Sequence, residues 1–157
     1  MAKIIEPDNW LYTPDGVYNH TPERSAEAWK AALGVLEETL KTNAFDKVVL
    51  VMGYPASGKS TWVKNHAEEW CIYFVDADLL SETVRSRVIK TIRKLTPISI
   101  SALFLDTDLK ICHKRNDQRR SDRIIPQNAY QTMRSRFAFP STNEGFDHIQ
   151  IKRNYSL

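Results

Sequence analysis

Gly53-Tyr54-Pro55-Ala56-Ser57-Gly58-Lys59-Ser60 decides the fold of this chain. It meets G-x-x-x-x-G-K-[ST] at every required position. The run before it, Val48-Val49-Leu50-Val51-Met52, is apolar and β-branched, as a buried strand requires. Thr61 to Ala67 after it can open a helix. Strand, glycine-rich loop and helix N-terminus together aim backbone N–H groups and a positive dipole end at a phosphate chain. Gly53, Ala56, Ser57, Gly58, Lys59, Ser60 and Thr61 are therefore the expected phosphate cradle. Lys59 is expected on the β- and γ-phosphates, and the Ser60 hydroxyl on magnesium.

Working outward, alternation of strands and helices continues on the C-terminal side. Ile72 to Val75 is a short apolar run ending in Asp76-Ala77-Asp78, and Leu79 to Leu95 has helical spacing up to Pro97. Ile98 to Leu105 reads as a strand ending at Asp106. Leu109 to about Arg120 reads as a basic helix, with another from Pro126 to about Ala138. His148 to Lys152 reads as a half-exposed final strand. On the N-terminal side, Thr21-Pro22-Glu23 is a helix start, with Trp29, Ala32, Leu33, Leu36 and Leu40 forming an apolar stripe to about Thr42. Asn43 to Asp46 reads as the turn into the loop strand. Residues 1–20 show no periodicity and read as an extended arm carrying Trp10, Tyr12 and Tyr18.

The expectation is one α/β domain over residues 1–157: arm 1–20, helix 21–42 and core 47–152, with a lid around 110–126. It is a three-layer fold, with helices flanking a small, mainly parallel sheet of about four strands.

The chain has 157 residues, 42% of them hydrophobic, enough for a single core. No apolar stretch of membrane-spanning length and no signal-peptide segment occurs. Cys71 and Cys112 are too few for a disulfide framework or zinc site, so a reduced, cytoplasmic setting is expected. Net charge is +3, unevenly distributed. One basic cluster holds Lys110, His113, Lys114, Arg115, Arg119, Arg120 and Arg123, with Arg134 and Arg136 beyond. A second holds Arg85, Arg87, Lys90, Arg93 and Lys94. The first suits a polyanion; the second is equally a solvated helix face.

Ligands in such sheets sit beyond the carboxyl ends of the strands. That rule selects the loop, Asp76/Asp78 and Asp106. Asp78 is the expected proton acceptor and Asp76 a structural or supporting group, with capping of the helix from Leu79 as the alternative for both acids. Arg115 and Arg119, four apart, would share one helix face and close over phosphates.

On these residues the chain resembles the 5′-hydroxyl polynucleotide kinase family, among the P-loop kinases that include zeta-toxin-like enzymes. The likeness rests on the loop through Trp62, on Tyr73 to Asp78, and on Leu103 to Arg119. Pro126, Met133, Phe137, Pro140 and Glu144-Gly145-Phe146-Asp147 carry it to residue 152. It implies ATP and Mg2+, with Lys59, Asp78, Arg115 and Arg119 catalytic and a DNA or RNA 5′ end as acceptor. No membrane or obligate protein partner is implied. Two departures stand out. Ser81 occupies the place of an arginine three residues after the base, with Arg85 as a substitute one turn on. About forty residues that shape the acceptor site are missing between Asp78 and Ile98, although Asp106-Thr107-Asp108 faintly echoes a motif from that segment. A kinase for small metabolites or nucleosides, and a non-catalytic nucleotide-binding module, are the alternatives.

Overall fold

The computed structural model describes residues 1–42 and 44–153. Asn43, at the expected turn, lies outside the described residues. The architecture is α/β: a five-stranded, all-parallel sheet flanked by helices. The strands are β1 (Lys3–Ile5), β2 (Lys47–Met52), β3 (Cys71–Val75), β4 (Ser99–Asp106) and β5 (His148–Arg153), in the order β1-β3-β2-β4-β5. The helices are α1 (Pro22–Leu40), α2 (Lys59–His66), α3 (Glu82–Arg93), α4 (Leu109–Asp117) and α5 (Gln127–Arg136).

β2 lies in the middle because both of its faces can be buried. Val48, Leu50 and Met52 point into the larger core with Phe74, Phe104, Trp29, Leu36 and Ile92. Val49 and Val51 point the other way, onto Val63 of α2, Tyr73 and Leu105. A strand apolar on every residue is what a sheet covered on both faces demands. Thr21 caps α1 through its hydroxyl, accepting from Arg24 N–H at 3.1 Å, with Pro22 in the first turn.

The sheet has five strands where about four were expected, and the extra one comes from the arm. Lys3, Ile4 and Ile5 pair in parallel with Ile72, Tyr73 and Phe74. The arm then turns through a short 3₁₀ segment, Pro7–Leu11, which packs on α1. Residues of the arm and of the first turns of α1, between Glu6 and Trp29, line one side of the cleft at this end of the sheet. The helix expected from Leu79 is also divided. Ala77–Leu80 is a 3₁₀ turn, and α3 begins only at Glu82.

Asp147 fastens the end of the last loop to the sheet, its carboxylate accepting from Ile100 N–H at 2.9 Å. Cys71 and Cys112 are buried free thiols, and burial raises both pKa values.

Candidate functional site

The loop between β2 and α2 is braced from outside. Tyr130 Oη donates to the Pro55 carbonyl (2.7 Å), and Thr107 Oγ1 to that of Ser57 (2.8 Å). Arg115 Nη1 reaches the carbonyls of Ala56 (3.5 Å) and Ser57 (3.4 Å). Ala56 and Gly58 both take positive φ, 64° and 102°, which curls the backbone into a concave nest. Gly53 has no room for a side chain: a Cβ would lie 2.6 Å from Ser57 Oγ and 3.0 Å from the Leu105 carbonyl oxygen.

The cradle fits a triphosphate on two further observations. Ser57 Oγ is buried without a hydrogen-bond partner, an arrangement that costs free energy unless a ligand supplies one. Lys59, the first residue of α2, folds back so that its ammonium donates to the Gly53 and Tyr54 carbonyls, both at 2.9 Å. Loss of water around that ammonium draws its pKa down to about 8, against the opposing pull of Asp76 and Asp8. A phosphate chain would restore the charge that the free site disfavours.

Beside Lys59 opens a cleft of about 720 Å³. Asp76, at the end of β3, forms its floor and is buried. Desolvation first, then Asp78 and Asp8, push its pKa well above the ordinary carboxylate value. Asp78 sits in the 3₁₀ turn, its carboxylate toward the Trp29 ring N–H and the charges of His20 and Arg136. Desolvation and Asp8 raise its pKa as well. The capping alternative fails: α3 is capped at Ser81, without a side-chain bond, and the 3₁₀ turn at Asp76, likewise without one.

The expected arginine pair does not act from one helix face. α4 ends at Asp117, so Arg119 lies past the helix. Arg119 lines the cleft, whereas Arg115 holds the loop from behind. Between them Asn116 is buried, bonding Ile125 both ways: Nδ2 to the carbonyl (2.8 Å) and Oδ1 from the N–H (2.9 Å). This pins the expected lid segment. The lid also reaches the arm, since Asp122 accepts from Tyr18 N–H (2.7 Å) and Arg120 donates to the Gly16 carbonyl (2.9 Å). Arg120 also donates to the Asp122 carboxylate (2.7 and 2.6 Å), and that pair first, then the Tyr18 N–H, holds the Asp122 pKa down at about 2.

Arg85 is not the substitute suggested for the missing arginine. It is wholly buried, paired with Glu144 at 2.7 Å, and bonded to the carbonyls of Leu79, Leu80, Ala138 and Phe139. Asp106 is engaged with Arg153 at 3.2 Å, on the far side of the sheet's rim from the acids of β1 and β3.

Sequence reasoning missed Glu6 and Asp8. Both line the cleft from the arm, and Glu6 accepts from Ser60 Oγ at 3.3 Å. Desolvation raises the Glu6 pKa while Ser60 and Lys59 lower it. The available signal was the order Ile4-Ile5-Glu6-Pro7-Asp8, an apolar pair ending in acids as at Phe74-Val75-Asp76-Ala77-Asp78.

A family model described as an AAA domain matches residues 48–101, from β2 into β4. That match and the loop support nucleotide binding of the P-loop, kinase-like type over this stretch, with triphosphate typically held alongside Mg2+ and no acceptor specified. No curated protein matches the chain. Among the described residues, no helix is long and apolar enough to cross a membrane.

Proposed function

We propose that this protein is a magnesium-dependent kinase that moves the γ-phosphate of ATP to a hydroxyl group, with the 5′ end of DNA or RNA as acceptor. The observation that carries the reading is the junction of cradle and cleft. Lys59 stands where they meet, with carboxylates on the acceptor side and Arg119 and Arg123 across it. Phosphoryl transfer needs little covalent work from a protein; it needs position, charge and a proton acceptor.

Each group has a part. Backbone N–H groups of Ala56, Gly58, Lys59, Ser60 and Thr61, at the α2 N-terminus, bind the phosphates. Ser60 would hold magnesium, which when bound supplies positive charge to the phosphates. Among the described residues no cluster of three acidic, His or Cys side chains forms a protein-only cage. Magnesium here would be held by Ser60 and the phosphate oxygens. Arg115 keeps the loop in shape, and Arg119 stabilises charge on the transferring group. Asp78 belongs to the acceptor wall, where Arg136 and His20 stand beside it.

A second reading, a kinase for a small hydroxyl compound, rests on the roof of the cleft. The Asp122–Tyr18 and Arg120–Gly16 bonds close the arm against the lid. A strand end entering there also meets Glu6, Asp8, Asp76 and Asp78, whose charges oppose phosphodiesters. Labelled γ-phosphate should pass from ATP with Mg2+ to 5′-hydroxyl oligonucleotides, more slowly as salt rises. Transfer only to nucleosides or sugars would move the acceptor to the second reading. ATP binding with transfer to neither would leave a binding module.

A further inference from the structure

We propose that Asp8, carried into the cleft by the N-terminal arm, is the carboxylate that takes the proton from the acceptor hydroxyl. This rests on the kinase reading above and replaces Asp78 in the role expected of it.

Three observations place Asp8 there. The first is topological. β1 lies beside β3 at the sheet edge and runs parallel to it, so its carboxyl end opens on the same rim as the loop and Asp76. Pro7 then turns the chain so that Asp8 enters the cleft. The second is anchorage. Glu6, two residues earlier, accepts from Ser60 Oγ, which ties the arm to the first turn of the phosphate-binding helix. Asp8 itself accepts from Tyr18 Oη at 3.4 Å, and Arg123 Nη1 stands 4.0 Å from its carboxylate. That Nη1 atom is buried without a hydrogen-bond partner, and Arg123 lies over the Tyr18 ring at 4.3 Å. The Arg123 charge beside it and the Tyr18 hydroxyl fix the Asp8 carboxylate at the cleft.

The third observation separates the two candidates. Asp78 lines the same cleft near Asp8, but it also faces Trp29 of α1, Arg136 of α5 and His20 before α1. Asp8 lines the cleft with Lys59, the residue expected at the γ-phosphate, on an arm that the Glu6–Ser60 bond joins to the first turn of α2. A base must reach the hydroxyl as it approaches that phosphate. Asp76 lies on the floor of the cleft, and desolvation favours its neutral form. Asp8 has the position and Asp78 has the acceptor wall.

In the step, the acceptor O–H bond breaks and its proton passes to the Asp8 carboxylate. The acceptor oxygen forms a bond to the γ-phosphorus while the bond from that phosphorus to the β–γ bridging oxygen breaks. The nucleoside diphosphate leaves with that electron pair. Asp8 returns its proton to solvent.

The test compares Asp8→Asn, Asp8→Glu and Asp78→Asn in the full chain. Readouts are labelled-phosphate transfer over pH 5–9, using oligonucleotide and small-hydroxyl acceptors, binding of a fluorescent ATP analogue, and melting temperature. Asp8→Asn is expected to lower kcat about 10²–10³-fold, with analogue binding unchanged and the acid limb of the pH profile lost. Asp8→Glu should recover part of the rate, which a merely structural role would not give. Asp78→Asn should act mainly on the acceptor KM. Asp8→Asn with kcat within about threefold of the parent, while Asp78→Asn removes it, overturns the proposal and leaves the kinase standing. If Asp8→Asn does not fold, absence of partial rate in a folded Asp8→Glu overturns it equally. A parent chain that binds the analogue but transfers to no acceptor overturns both readings.

Discussion

Two positive charges are drawn into this molecule, and their surroundings differ. Arg85 is closed off: Glu144 and four backbone carbonyls take up all three of its nitrogens. Glu144 is itself held, its carboxylate accepting from Ser141 N–H at 2.8 Å. Lys59 leans on two loop carbonyls beside Asp76, whose pKa desolvation and the neighbouring carboxylates raise, next to a serine hydroxyl with no partner. A satisfied buried charge organises structure; an under-satisfied one at the edge of a cleft is held for a ligand. The loop after α5 needs the first, and phosphate binding needs the second.

Breaking the first centre should produce the larger change in stability. Arg85→Met leaves Glu144 buried and unpaired, so a loss of about 3–5 kcal/mol is expected. Thermal unfolding should show it as a fall in melting temperature of roughly 10 °C, at about 2–4 °C per kcal/mol for a chain of this size. Lys59→Met should do the opposite. Phosphate transfer should fall about 10²–10³-fold, while the fold stays intact or gains stability at neutral pH. The sign follows from the lowered pKa: charged Lys59 destabilises the free fold below about pH 8, and the penalty fades as pH rises toward its ordinary value.

Asp76→Asn sharpens the contrast at smaller amplitude. A carboxylate whose pKa is raised by folding weakens the fold above that pKa, and protonation on acidification relieves the penalty. The amide should therefore raise stability by about 1 kcal/mol at neutral pH while transfer declines, as trade-offs at functional sites do. Melting temperature and transfer rate measured on one preparation will check both parts. The smallest effect is in binding. ATP affinity should fall as pH rises past about 8, by at most about tenfold per pH unit for one proton taken up with ligand. Titration from pH 7 to 10 should show the slope, and Lys59→Met should lack it.

The middle of this architecture was legible because it is written locally. The loop motif, the all-apolar β2 and the Thr21-Pro22 start each carry their own signal within a few residues. β1 was not, because three residues cannot display a period, and Lys3-Ile4-Ile5 becomes a strand only when Ile72 to Phe74 lie beside it. Glu6 and Asp8 went unread with it, since their meaning depends on that distant pairing. The arginines were misread for a different reason. Spacing of four implies a shared face only while the helix lasts, and α4 stops two residues before Arg119. Arg85 shows the limit of composition: in sequence it belongs to a basic run, and only packing shows that it faces inward.

The backbone around Trp70 carries one more implication. Its N–H donates to the Met1 carbonyl at 3.1 Å, and its own carbonyl accepts from Asp46 N–H at 2.7 Å. The first residue of the arm, the last before β2 and the last before β3 thus meet at one spot. A chain written in the order 47–70, 1–46, 71 onward would need only short joins there and could keep every strand neighbour. The order in which this protein is spelled is therefore separable from the shape it encodes, and the acids of its arm would reach the same cleft from the interior of a rearranged gene.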